Sequence, residues 1–308
     1  MMMKRLVTRS DFDGLACAMM LKELGLIEEI KFVHPKDVQD GKIELTENDI
    51  TTNLPYDPRV GIAFDHHESE MDRLKATETG GKLIIDPKAR SAARVVYDYY
   101  GGAAKFPNIS EDLMTAVDKG DSADFTLDEI LHPTGWVLLH YIMDPRTGLG
   151  RFRNFRISNY DLMMELIDYC REHTIDEILA LPDVRERVDL YFSEEEQFEA
   201  QLRRIVNVRG KVAVIDLRSE EIIHAGNRFV VYALYPETEV SIHVAWGFKK
   251  QNTALMLGKS ILNKASKADI GEICLGYGGG GHANAGTCQI DNDKADTVLE
   301  EIVEKLNA

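Results

Sequence analysis

Short apolar runs broken by turn residues alternate with stretches of helical period through the first half of the chain. Residues 4–8, 30–33, 49–52, 60–64 and 82–85 read as strands; Pro55-Tyr56-Asp57-Pro58 separates the third from the fourth. Gly14 opens a helix that turns Leu15, Ala18, Met19 and Leu21 towards a core, and Ser91 is a good N-cap for a helix that Gly101-Gly102 ends. Strands alternating with helices predict an α/β fold with a mostly parallel sheet and covering helices. From about Asn159 the pattern becomes helical, over 161–172, 176–181 and 184–206. The last of these carries Glu194-Glu195-Glu196 and is too polar for a core element, so it reads as a connector ending at Arg203-Arg204 and Arg209-Gly210-Lys211. Strand-like runs return at 211–217, 229–234, 240–246 and 253–257. The expected organisation is a first domain over 1–190, a helical linker over 191–209 and a smaller α/β domain over 210–308.

Composition narrows the partners. The 308 residues are 44% hydrophobic, ordinary for a globular protein, and no stretch approaches the ~20 apolar residues that span a bilayer. Met1 to Arg5 run straight into a strand without the apolar region of a secretory signal. Cys17, Cys170, Cys274 and Cys288 are far apart with no CxxC pair, which predicts buried, reduced thiols and a cytoplasmic setting. The net charge of −16 argues against holding a long nucleic acid, whose affinity comes from neutralising phosphates. A small phosphorylated substrate fits better, with no long duplex and no membrane partner; a homodimer is compatible.

Three acidic clusters each close an apolar segment: Asp11-Phe12-Asp13-Gly14, Asp65-His66-His67 and Asp118-Lys119-Gly120-Asp121. In an open α/β sheet the crevice at the carboxyl ends of the strands is where ligands bind. Carboxylates and imidazole converging there suit Mn²⁺, with Mg²⁺ or Zn²⁺ behind it. Each cluster also has a plainer reading: Asp11 and Asp13 as a helix cap and turn, His66 and His67 as loop imidazoles, Asp118 and Asp121 as a solvated pair. A second motif, Gly278-Gly279-Gly280-Gly281-His282, exposes backbone N–H groups that can cradle a phosphate, and His282 can donate to a phosphoryl oxygen. Alone, such a run is as often a flexible loop. Trp136 and Trp246 read as core residues, and Lys249, Lys250, Lys259, Lys264 and Lys267 in part as solvated surface.

Taken together, the clusters and the glycine motif resemble the DHH/DHHA1 phosphoesterase superfamily along nearly the whole chain. Asp65-His66-His67 matches the signature that names it, Asp11-Phe12-Asp13-Gly14 its first motif, and the glycines with His282 its DHHA1 hallmark. The resemblance implies a DHH domain, a DHHA1 domain and an active cleft between them. It implies Asp11, Asp13 and Asp65-His66-His67 around one or two Mn²⁺ ions (Mg²⁺ is possible), with His66 as the direct imidazole ligand. A fourth-motif aspartate is implied at either Asp118 or Asp121. His243 falls where relatives often place a substrate-contacting arginine.

Two departures from the family pattern bear on the metals. Arg9 and Val7 stand where many members carry a metal-binding histidine, and Asn53 stands at the strand end where an aspartate often bridges two ions. An amide oxygen carries no charge to offset two dications, so the second ion is expected to bind weakly. The implied activity is a metal-dependent phosphoesterase acting on short oligonucleotides or nucleotide phosphoesters. Its substrate-binding residues would be Arg9, His243, Gly278 to Gly281 and His282, with catalysis at His66, His67 and His282. An exopolyphosphatase-like enzyme is the nearest alternative, and a nucleotide-binding or sensing protein with reduced catalysis is the alternative from another class.

Overall fold

Strand β1 (Lys4–Thr8) lies between β2 (Ile27–Phe32) and β3 (Asp49–Thr52) in a five-stranded, wholly parallel sheet. Its order is β2-β1-β3-β4-β5, with β4 Ile62–Asp65 and β5 Leu83–Ile85. Leu6, Val7 and Thr8 are all fully buried, as a strand covered on both faces must be. This order reverses direction between β1 and β3, and the crevice at such a switch point is where α/β sheets bind ligands.

The computed structural model describes residues 4–67 and 82–308. Two compact units make up the chain. The first holds the described residues up to Asp124 together with Pro133–Leu190, and the second holds Phe125–His132 and Tyr191–Ala308. In the first unit, helix α1 (Phe12–Glu23) is buried on all sides from Phe12 to Leu21, so it serves as a core helix. Helices α2 (Ala92–Tyr100), α3 (Glu111–Asp121) and α4 (Gly135–Met143) complete the part of this unit that bears on the site. Ser91 caps α2 by accepting from Arg94 N, and Gly101 ends it at φ 111°, a left-handed conformation that glycine adopts without strain. No described helix is long and apolar enough to cross a membrane.

A long helix, α5 (Pro182–Ile205), leads into a six-stranded sheet of order β10-β11-β9-β8-β7-β6. Its strands are β6 Val206–Arg209, β7 Val212–Asp216, β8 Val240–Trp246, β9 Thr253–Lys259, β10 Gly280–His282 and β11 Ala285–Ile290. All pairings are antiparallel except β7 with β8. One face, formed by Val240, Ile242, Val244, Leu255 and Leu257, packs against Leu299, Ile302 and Val303 of the last helix, Ala295–Asn307. All four cysteines are free and buried.

Two elements differ from expectation. Residues 229–234 read as a strand, but Val230–Leu234 forms a short helix. Its β-branched valines favour a strand locally; tertiary anchoring prevails, because Tyr232 Oη lies 2.7 Å from Ser241 Oγ and donates to the Gly258 carbonyl at 2.8 Å. The second half of the glycine cluster lies in a paired edge strand, where an open loop was the plainer reading. Gly280 pairs with Thr287, and Gly281 with Gly286.

Candidate metal centre

Each acidic cluster leaves the end of a secondary-structure element at the switch point. After β1, Asp11 caps α1, its Oδ1 accepting from Gly14 N at 3.0 Å. Gly14 cannot be replaced cheaply: a Cβ there would stand 2.1 Å from the Arg9 carbonyl oxygen. Asp13, one position into the helix, turns inward and is 2% exposed. Its Oδ1 accepts from Ala93 N at 2.7 Å, and its Oδ2 from Ala92 N at 3.2 Å and Asn53 Nδ2 at 2.7 Å. Asp13 therefore sits on the N-terminus of α2, where backbone N–H groups and the helix dipole favour an anion. The strand ends are tied as well, since Thr52 Oγ1 donates to Thr8 Oγ1 at 2.7 Å.

Asp65 closes β4. Its Oδ1 accepts from His66 N at 2.9 Å and lies 2.8 Å from His67 Nδ1, fixing the ring of His67. His66 turns to the cluster. Its Nδ1 lies 3.3 Å from the Ala89 carbonyl, which makes Nδ1 the protonated nitrogen and leaves a lone pair on Nε2. That Nε2 is 2.8 Å from Asp121 Oδ2, yet it is buried without a hydrogen bond of acceptable direction. Two lone-pair atoms this close require either a proton or a cation between them. Ligand atoms of Asp13, His66 and Asp121 all lie within 4.8 Å of one another, as do those of Asp65, His66 and His67. Hard oxygens with one imidazole fit a divalent cation such as Mn²⁺ or Mg²⁺.

The electrostatics show the same demand. Burial pushes the Asp13 carboxyl well above its ordinary range, and the charges of Asp121 and Asp11 add to that push. Asp11 is raised as well, mainly by burial, with Arg9 opposing. Burial works against a charge on His66, but Asp121 above all, with Asp13 and Asp65, outweighs it and lifts the ring to about 9. Burial likewise opposes the charge of Asp121, whose carboxyl nonetheless falls below its usual range beside His66 and Arg9. A cation at the cluster would take over the role of the His66 proton and relieve the crowded carboxylates.

The two candidates for the fourth-motif aspartate differ in their surroundings. Asp121, at the end of α3, joins the cluster. Asp118 is held elsewhere: its Oδ1 accepts from Ser91 Oγ at 2.7 Å, and its Oδ2 from Arg94 Nε at 2.9 Å and Nη2 at 2.7 Å. The Asp118 carboxylate thus pairs α3 with α2. Asn53 Oδ1 is buried without a partner, and the residue holds a left-handed φ of 53°, which asparagine tolerates better than most. Arg9 leans on Asp11, with Nε 3.1 Å from Oδ2.

A small cleft beside Asp13 and Asp121 is lined by Asp11, His140, Asp144 and Arg146 as well. The last three went unmarked in the sequence. His140 packs against Gly120, where a Cβ would stand 2.4 Å from its Nδ1, so the glycine inside the third acidic cluster is the one signal that pointed there.

His243 and the glycine cluster with His282 belong to the second unit. His243 is partly buried on β8, opposite Met256. His282 is exposed on β10, its Nδ1 accepting from Asn284 N at 3.2 Å. Crowding explains two of the glycines: a Cβ on Gly279 would stand 2.1 Å from the Thr287 carbonyl, and one on Gly281 2.3 Å from that of Ala285. Gly280 faces open space at an ordinary φ, so the fold itself does not require a glycine there.

Carboxylates and imidazoles gathered at the carboxyl ends of a parallel sheet, with a mixed-sheet unit after a long helix, make this a DHH-type phosphoesterase. The chain belongs to the DHH/DHHA1 phosphoesterase superfamily. It is 54% identical to the solved pGpG-specific phosphodiesterase PggH from Vibrio cholerae, over 99% of each chain and with a TM-score of 0.81. It shares its fold with RecJ from Thermus thermophilus, solved with Mn²⁺, at 15% identity and a TM-score of 0.53. That match covers 98% of this chain and 52% of RecJ. No protein-family profile and no curated protein matches the chain.

Proposed function

We propose that the protein is a divalent-metal-dependent phosphodiesterase that hydrolyses the linear dinucleotide pGpG, with Mn²⁺ as its preferred ion. The 54% identity over 99% of both chains with a pGpG-specific phosphodiesterase carries the reading. The net charge of −16 supports a short substrate, since a long polyanion would be repelled. Four free buried thiols support a cytoplasmic setting.

Asp13, His66 and Asp121 would hold the ion, with Asp65 orienting His67 beside it. When bound, a divalent ion supplies Lewis-acid polarisation of a phosphoryl oxygen and a nucleophile available at neutral pH. The protein fixes its ligands beforehand. Ala92 and Ala93 N–H groups hold Asp13, and the Ala89 carbonyl sets the His66 tautomer so that Nε2 faces Asp121. Water adds to phosphorus as the P–O3′ bond breaks, and the 3′ oxygen leaves with a proton, giving two guanosine 5′-monophosphates. We assign substrate contact to His282, Gly280 and its neighbouring glycines, and to Arg9, with His243 as a further candidate.

The test is a panel of pGpG, cyclic di-GMP, pApA and polyphosphate with Mn²⁺, Mg²⁺ or EDTA, followed by chromatography of products. Cleavage of pGpG to guanosine 5′-monophosphate, lost in EDTA, is the expected result. Release of phosphate from polyphosphate with pGpG left intact would overturn the reading.

A further inference from the structure

Arg146 lines the same cleft as Asp11, Asp13 and Asp121. It sits in a single 3-10 turn, Pro145–Thr147, directly after α4. Asp144, 5% exposed, caps that turn and grips the side chain. Its Oδ1 accepts from Arg146 N at 2.9 Å and from Nε at 2.7 Å, and its Oδ2 lies 3.1 Å from the same Nε. The grip uses only the backbone and Nε. Neither Nη group donates to any described residue, although the cleft is rich in carboxylates and the side chain is half exposed.

A guanidinium anchored by one edge and open on the other is organised for a planar pair of oxygen acceptors. The carboxylates of the cleft would repel a phosphodiester, so a fixed cation beside them has a clear electrostatic purpose. We propose that Arg146 is a catalytic residue: its Nη groups bind the non-bridging oxygens of the scissile phosphodiester and stabilise the charge that grows there. Asp144 is its positioning residue. The inference takes its substrate from the pGpG reading, while its geometry stands without it.

The experiment compares wild type with Arg146→Ala, Arg146→Lys and Asp144→Asn. Three quantities are read: kcat and KM on pGpG and on bis(4-nitrophenyl) phosphate with Mn²⁺, pGpG binding by calorimetry in EDTA, and Mn²⁺ binding alone. Arg146→Ala is expected to lower kcat on both substrates by roughly 100- to 1,000-fold, as loss of a transition-state donor does. It should weaken pGpG binding in EDTA about tenfold, the scale of one lost charge-assisted contact, and leave Mn²⁺ affinity unchanged or tighter. Arg146→Lys should recover part of the rate, since the charge returns without the fork. Asp144→Asn should lower kcat with Arg146 in place, and free guanidinium should partly rescue Arg146→Ala.

Rates of Arg146→Ala within threefold of wild type on both substrates would overturn the proposal, as would loss of Mn²⁺ binding in step with loss of rate. A wild type that cleaves bis(4-nitrophenyl) phosphate but not pGpG sinks the substrate reading alone, and the Arg146 comparison then proceeds on the former. A wild type that binds and cleaves neither overturns both.

Discussion

Asn53 Nδ2 donates to Asp13 Oδ2 at 2.7 Å, joining the end of β3 to the first turn of α1 where the sheet changes direction. An amide here satisfies Asp13 without a metal, whereas an aspartate would set carboxylate against carboxylate and need a cation between them.

Asn53→Asp is therefore expected to behave oppositely with and without metal. Metal-free, it should be less stable than wild type by about 1–3 kcal/mol, the cost of losing a buried hydrogen bond and adding like charge. With Mn²⁺ it should recover that loss and gain a second, tighter site. Calorimetric titration and thermal melts of both proteins check this; two tight sites already present in wild type would contradict it.

Asp118 and Asp121 are separated by one turn of α3 and make different contacts. Asp121→Asn should abolish tight Mn²⁺ binding and lower activity at least 100-fold, the scale on which lost metal-site groups act. Asp118→Asn should keep Mn²⁺ stoichiometry and instead cost stability on the order of 2–4 kcal/mol, because Arg94 loses a largely buried partner. A reversed pattern would exchange their assignments.

Gly14→Ala should damage the site through the backbone. Its Cβ would stand 2.1 Å from the Arg9 carbonyl and 2.9 Å from Thr8 Oγ1, and neither contact is a flexible side-chain tip. The expected cost is about 3 kcal/mol or more, with the Asp11–Asp13 turn displaced and Mn²⁺ affinity reduced. Wild-type melting and metal binding would show that the turn can give way.

His243 predicts a pH dependence in the second unit. Burial, helped by the charge of Arg228, pushes its ring down to about 4, so it is neutral in the fold. Unfolded, it takes up a proton near its ordinary value of about 6.5. Between those values the unfolded chain binds more protons, so stability falls as pH drops from about 6.5 to 4. The contribution at pH 5 is at most about 2 kcal/mol. His243→Gln should flatten that part of the profile in denaturant melts at pH 7 and pH 5, and an unchanged slope would remove His243 as its source.

The sequence carried the candidate metal centre further than it carried the cleft. Asp11, Asp13, Asp65 and His66 were legible because each follows an apolar run, and a parallel sheet sends all such ends to one side. Asp118 and Asp121 could not be told apart, since Arg94, which holds Asp118, lies on another helix. Asp144 and Arg146 were silent for the same reason: a turn after α4 enters the cleft only through tertiary packing. In the second unit, Val230-Val231-Tyr232 favoured a strand by propensity, and the anchoring of Tyr232 Oη decided for a helix. Four glycines in a row were compatible with an open loop or a phosphate cradle, and close backbone neighbours at Gly279 and Gly281 account for two of them.

Asp13 spends its oxygens on the first amides of α2 before any ion arrives. The loop after β1 and the helix after β5 are thereby locked into one scaffold by the same carboxylate that would serve as ligand. An ion bound there would meet a ligand already held in place by the fold. Loss of such an ion would then be a local event that leaves the turn after β1 tied to α2.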